Sequence, residues 1–180
     1  EDILFEVRQD KAYYDNSSGG VTISGGEVLY QSEFATALAA ACKAEKISVA
    51  IETNLNFSFS KLEEMLPYLD FVFCDLKIWD NDSHHSWTGV GNQKIIDNIK
   101  KLDNYGIPFV VRTPLIPGAT DSEENIRQIS EFLEQLTHLE YYELLNFNPL
   151  GDSKYKSLRQ ENPFEKTRPL SEARLATLAK

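Results

Sequence analysis

Along the chain, short runs of apolar and β-branched residues alternate with longer stretches of helical periodicity. Val21-Thr22-Ile23-Ser24, closed by Gly25-Gly26-Glu27, has the composition and punctuation of a buried strand. Ser32 then opens a helix to Ala44, with Phe34, Leu38 and Cys42 sharing one face. The same alternation predicts further strands over residues 47–52, 71–75, 108–113 and 141–145. Between them it predicts a helix over 61–66, stopped by Pro67, and another carrying Ile95, Ile96, Ile99 and Leu102. Asn92 stands at the N-cap of that second helix and Gly106 closes it. The stretch through His84, Trp87 and Gly89 reads as a loop. Pro117-Gly118 turns the chain into Asp121-Ser122-Glu123-Glu124, an Asp-x-x-Glu arrangement that suggests a capping box. The helix behind it carries Ile126, Ile129, Phe132, Leu133 and Leu136. A polar, proline-marked loop runs to about Pro169, and a last helix starts at Ser171.

Five strands joined by helical crossovers imply an α/β fold with a parallel sheet and right-handed connections. All strand C-termini then share one rim, where such folds bind their ligands. A repeat of about 25 to 35 residues per βα unit suits a (β/α) barrel or part of one. No linker divides the chain, so residues 1–180 read as a single domain, a partial barrel.

Composition narrows the function. At 180 residues the chain can bury one substantial core. A formal net charge of −10 with no basic stripe argues against nucleic-acid binding. No apolar run approaches the length of a membrane span and no signal peptide opens the chain, so the expected location is cytoplasmic. Cys42 and Cys74 form no CxxC pair and read as buried thiols. By themselves they cannot hold an iron–sulfur cluster.

The chemistry sits at the strand ends. In order these carry Ser24-Gly25-Gly26-Glu27, Glu52-Thr53-Asn54, Asp75-Leu76-Lys77, Arg112-Thr113 and Asn146-Phe147-Asn148. Strand ends are often polar because they emerge into water. Glu27, Glu52, Asp75, Lys77 and Arg112 on one rim look instead like a pocket for a zwitterion. The carboxylates would take an ammonium group, and Lys77 or Arg112 a carboxylate. His84 and His85 read as surface-loop residues, His138 as a partner for a helix C-terminus, and Trp79 and Trp87 as core anchors.

Gly19-Gly20-Val21-Thr22-Ile23-Ser24-Gly25-Gly26-Glu27 resembles the GGVTxSGGE segment of the glycyl-radical-enzyme activating enzymes. These are radical S-adenosylmethionine proteins, among them the pyruvate formate-lyase activating enzyme. The resemblance continues through Ile51-Glu52-Thr53-Asn54, Asp75-Leu76-Lys77, Thr88-Gly89-Val90, and Pro117 through Asn125. It implies an incomplete TIM-like barrel and several residue roles. Gly25, Gly26 and Glu27 would hold the amino group of S-adenosylmethionine. Glu52, where the family usually has aspartate, would face the methionine end. A monovalent cation would lie at Glu52, Thr53, the Phe73 carbonyl and Asp75. The Asp75-Leu76-Lys77 segment would complete that shell. Arg112 would lie near the methionine carboxylate or the partner's peptide. Asn148 stands where the formate-lyase activator has histidine, beside the nucleoside.

The resemblance further implies a [4Fe–4S] cluster, reduced by flavodoxin or ferredoxin, and a glycyl-radical enzyme as protein substrate. The cluster motif CxxxCxxC is absent from these 180 residues. The chain is therefore expected to be the C-terminal part of a longer protein, inactive alone, and prone to self-association through an exposed sheet edge. Other departures are Leu55 for the usual glycine and Val28 where proline is common. Two alternatives remain open at this point: a Schiff-base lyase using Lys77, and a non-catalytic domain that docks a partner.

Overall fold

The structure, a computed structural model, describes residues 2–179, without the side chains of residues 152–154. Two short helices, α1 (Asp2–Gln9) and α2 (Lys11–Ser17), lead into β1 (Gly20–Ile23). A 3₁₀ turn at Val28–Gln31 joins β1 to α3 (Ser32–Ala44), followed by β2 (Ser48–Thr53) and α4 (Phe59–Glu63). Then come β3 (Phe71–Asp75), α5 (Asn81–Thr88), α6 (Gln93–Tyr105), β4 (Phe109–Leu115) and α7 (Glu123–Leu133). The chain ends with β5 (Leu139–Asn146), α8 (Asp152–Ser157) and α9 (Glu172–Leu178).

All five strands pair in parallel, in the order β1-β2-β3-β4-β5. When sheet order follows chain order, right-handed crossovers place every connecting helix on the same face. That face carries the core. Val49 and Ile51 of β2, Val72 and Cys74 of β3, and Val111 of β4 meet Ala39, Leu62, Ile99, Leu102, Ile129 and Leu133 from the helices. The alternate residues Ala50, Glu52, Phe71, Phe73, Asp75 and Arg112 are only half-buried, on the opposite face. This is the partial (β/α) barrel expected from the periodicity, with one layer of helices outside and an open inner face.

Local details depart from the sequence reading. Pro67 does not stop a helix. α4 ends at Glu63, and Pro67 lies inside a 3₁₀ turn at Leu66–Tyr68, near whose start its missing N–H costs nothing. The expected loop through His84 is the helix α5. It is capped by the Asp80 carboxylate, which accepts from Ser83 N at 2.9 Å, and closed by Gly89 at φ +79°. Only His84 of α5 is buried, so no apolar periodicity announced it. The capping box is also different. Ser122 is the N-cap of α7, while the Asp121 carboxylate accepts from Gly118 N at 2.8 Å. β4 runs two residues past its expected end, to Leu115.

Candidate functional site

The strand tips converge as the alternation requires. Residues 24–27, Glu52-Thr53-Asn54, Asp75, Lys77 and Arg112 line one cavity of about 150 Å³ at the C-terminal rim. Leu76 does not share it. With Asp75 and Lys77 facing the cavity, Leu76 between them must face the core, where it is fully buried. Asn148 is absent from the lining as well. It is exposed beyond β5, and its side-chain oxygen accepts from Leu150 N at 3.0 Å.

Glu27 works as a clasp. Its Oε1 accepts from Leu29 N (3.1 Å) and Thr53 Oγ1 (2.7 Å), and its Oε2 from Asn54 N (2.8 Å). A carboxylate offers about four acceptor positions, so three are committed to the protein. The bonds tie the turn after β1 to the tip of β2. Gly25 and Gly26 project between them. Gly25 sits at φ +149°, a conformation that excludes side chains. A Cβ on Gly26 would meet no protein atom within 4 Å, so packing within the chain does not demand glycine there. Open space before that backbone suits a ligand's close approach.

Opposite the glycines lies a chain of charges. Glu52 Oε2 accepts from Ser24 Oγ at 2.6 Å, and Oε1 from Arg112 Nη1 at 2.8 Å. Arg112 Nε forms an ion pair with Asp75 Oδ1 at 3.4 Å, and is the one buried side-chain nitrogen or oxygen without a hydrogen bond among the described residues. Lys77 Nζ pairs with Asp75 Oδ2 at 3.2 Å. The Arg112 guanidinium also lies 5.3 Å from the centre of the Phe73 ring. Hydrogen bonds from Ser24 and then Arg112 hold the Glu52 carboxyl below its usual range. Burial disfavours the Arg112 charge, but Glu52 and Asp75 outweigh it and push its pKa up. Beside the clasping Glu27, the site thus presents the carboxylates of Glu52 and Asp75 and the two cations Lys77 and Arg112, the complement of a zwitterion.

Comparison with protein families matches residues 1–129 to the Radical SAM superfamily. The chain belongs to that superfamily. Radical SAM relatives bear out the resemblance to activating enzymes. The (2S)-3-sulfopropanediol dehydratase activating enzyme of Klebsiella oxytoca is 39% identical over 160 residues, covering 88% of this chain and 50% of that protein. The pyruvate formate-lyase-activating enzyme of Clostridium pasteurianum is 37% identical over 158 residues, covering 88% of this chain and 66% of that one. The chain therefore spans about half to two thirds of their length. Among solved structures, a domain of the pyruvate-formate lyase-activating enzyme from Bacteroides vulgatus superposes with a TM-score of 0.73 at 28% identity. The match covers 89% of this chain and 90% of that domain.

A radical SAM site calls for two groups, and the residues here fit only one. The open backbone at Gly26 and the Arg112 guanidinium, whose Nε makes no hydrogen bond, suit an amino-acid end such as that of S-adenosylmethionine. An iron–sulfur cluster needs several accessible thiolates. Cys42 and Cys74 are fully buried in the core, and burial pushes both thiols up, away from the thiolate. Neither of these two cysteines is placed to serve as a cluster ligand. Among the described residues no group of three or more His, Cys, Asp or Glu could hold a metal. At the expected monovalent-cation position, Thr53 Oγ1 is committed to Glu27, and Glu52 and Asp75 both face Arg112.

Other residues sort differently from expectation. His84 is buried rather than on the surface, with Nδ1 2.7 Å from the Val90 carbonyl oxygen. His138 lies 3.5 Å from Asp103. Trp79 stacks on Phe132 at 5.4 Å, as a core anchor should, whereas Trp87 is 51% exposed beside Phe164. The sequence reading did not anticipate that three buried asparagines splint the rim, although it named Asn92 as the N-cap of α6. Asn98 Nδ2 donates to the Leu55 and Phe57 carbonyls, both at 2.8 Å. Asn92, rather than capping α6 with its side chain, donates to Ile78 O at 2.9 Å and Trp79 O at 2.5 Å. Asn125 donates to Lys77 O (3.0 Å) and Thr120 O (2.9 Å) and accepts from Trp79 N (2.8 Å). An asparagine among the apolar residues of a helix's core face was the available signal.

Proposed function

We propose that this chain is the S-adenosylmethionine-binding part of an activating enzyme for a glycyl-radical enzyme. The observation that carries the reading is one cavity joining the open Gly25-Gly26 backbone to Glu52, Asp75, Lys77 and Arg112. Gly26 backbone and the carboxylates would hold the ligand's ammonium, and Arg112 and Lys77 its carboxylate. Glu27 would keep the cradle in shape through its clasp. A monovalent cation at Glu52 and Asp75 would share both carboxylates with Arg112. Bound there, S-adenosylmethionine supplies the sulfonium from which the family draws its hydrogen-abstracting radical.

The chain alone would bind without catalysing, because its two cysteines are sealed in the core. The activity of the whole protein would need cluster cysteines from elsewhere, a flavodoxin or ferredoxin reductant, and a glycyl-radical enzyme as substrate, in the cytoplasm. Among the described residues no helix is long and apolar enough to cross a membrane. Relatives of nearly equal identity are named for different partner enzymes, so overall similarity does not choose one. Among the described residues β1 pairs on one side only, with β2, and that open edge would recruit a second copy.

Calorimetric titration with S-adenosylmethionine tests the reading. Wild type should bind, and Gly26→Val should abolish binding while melting near the wild-type temperature. Equal binding by both, or none by wild type, contradicts the assignment.

A further inference from the structure

Two excursions leave the C-terminal rim, and an asparagine pins each at its neck. One is α5, which follows β3 beyond Lys77 and is tied back where Asn92 Nδ2 donates to Ile78 O at 2.9 Å and Trp79 O at 2.5 Å. The other runs from Phe147 to Pro169. At its base Asn146 donates to Leu170 O at 3.0 Å and accepts from Leu170 N at 2.9 Å. The two meet at Trp87 and Phe164, whose ring centres lie 6.1 Å apart, with Phe147 a further 6.3 Å from Phe164. Their packing leaves the junction open to solvent: Trp87 is 51% exposed and Val90 39%. We propose that this junction docks a segment of the protein substrate that carries an apolar side chain flanked by carboxylates. The proposal rests on the protein substrate assigned above and names the surface and the chemistry that recognise it.

The apolar half of the argument is Trp87. A lone exposed aromatic is ordinary, but here both excursions bring rings together at the surface, and a long loop in a compact domain more often serves binding than packing. The indole offers a rigid face on which an apolar neighbour sheds water at small entropic cost. The charged half is the loop. Residues 147–169 carry Lys154, Lys156, Arg159, Lys166 and Arg168 against three acids, in a chain of formal net charge −10. Arg159, Lys166 and Arg168 are exposed, and among the described residues none of the three has a side-chain hydrogen bond or ion pair. On the other side α5 contributes Asp82, so the loop is the basic flank of the junction. The negative field of the molecule repels an acidic segment over most of its surface and leaves this flank as the place where carboxylates meet unpaired cations. A carboxylate there gains charge-assisted hydrogen bonds without displacing an internal partner.

The test uses the full 180-residue chain and a synthetic peptide in which Leu-Phe is flanked on each side by Asp-Glu, with lysine in place of every acid as the control peptide. Tryptophan emission should move to the blue as the acidic peptide covers Trp87, because Trp79 is already stacked on Phe132. Trp87→Phe should lose that shift yet keep its calorimetric affinity within about twofold. Trp87→Ser and the double variant Arg159→Glu/Arg168→Glu should each weaken binding about tenfold or more. Salt at ~0.5 M should weaken wild type similarly. None of these residues lines the cavity, so every variant should bind S-adenosylmethionine as wild type does. Three results overturn the docking surface: no binding of the acidic peptide, equal binding of the lysine peptide, or a double variant that binds like wild type. Each leaves the function proposed above standing so long as S-adenosylmethionine still binds. Self-association that Trp87→Ser abolishes in light scattering would make a second copy the occupant, and overturns the proposal as well.

Discussion

Asn125 is where the account can be pressed hardest, because its side chain alone joins three backbone segments. Its amide donates to Lys77 O and Thr120 O and accepts from Trp79 N, at 2.8 to 3.0 Å, from a residue only 7% exposed. Asn125→Ala removes all three bonds and strands one N–H and two carbonyls. At a net ~1 kcal/mol per hydrogen bond, with some rescue by entering water, the loss should be about 2–3 kcal/mol. For a domain of this size that is a melting shift of roughly 4–12 °C. Urea unfolding followed by tryptophan fluorescence reads the loss as a lower midpoint with an unchanged slope. Asn125→Asp is the sharper variant. It keeps an acceptor for Trp79 N but sets a carboxylate oxygen against the carbonyls of Lys77 and Thr120. It should be at least as destabilising as alanine at neutral pH, and less so at acid pH, where the protonated carboxyl can donate again. A loss below about 1 kcal/mol for Asn125→Ala, or a wild-type midpoint for Asn125→Asp, would refute the splint.

Further expectations concern the clasp, the charges and the sheet edge. Glu27→Gln turns an acceptor into a donor opposite Asn54 N or the Leu29 N and Thr53 Oγ1 pair, and should cost about 1–3 kcal/mol. Faster amide exchange at Asn54 is the direct readout, and unchanged exchange would remove the clasp from the account. Glu52 has a folded pKa below its unfolded value, so its contribution is present above the unfolded value of ~4.3 and is lost as pH falls through the folded one. Glu52→Gln should flatten the acid limb of stability against pH. Because the side chain is 36% exposed, the effect should not exceed about 1 kcal/mol. Light scattering should show a mass above monomer at high concentration, from pairing at β1, and a clean monomer would contradict that.

The architecture was readable because the strands announce themselves by β-branched or aromatic runs and carry charged or amide groups at or just beyond their C-terminal ends. Period-two alternation then delivers Glu52, Asp75 and Arg112 to one rim. The same rule, pursued one residue further, turns Leu76 into the core. α5 was hidden because it buries only His84 and so lacks an apolar stripe, though Asp80 and Gly89 mark its ends. Asn148 follows β5 and precedes Pro149, a pairing that marks a turn, and there its side chain caps its own loop. The splinting roles of Asn92, Asn98 and Asn125 escaped the sequence because their partners are backbone groups 5 to 48 residues away. Composition cannot show which carbonyl a buried amide will meet. The Ser24–Glu52 contact spans 28 residues, so it too emerges only in three dimensions.

A crystal structure of the chain with S-adenosylmethionine addresses the central claim most directly. The account expects the amino-acid end between the Gly25-Gly26 backbone and Arg112, within the cavity that Glu52, Asp75 and Lys77 line. The ligand bound elsewhere, away from the strand tips, would contradict it.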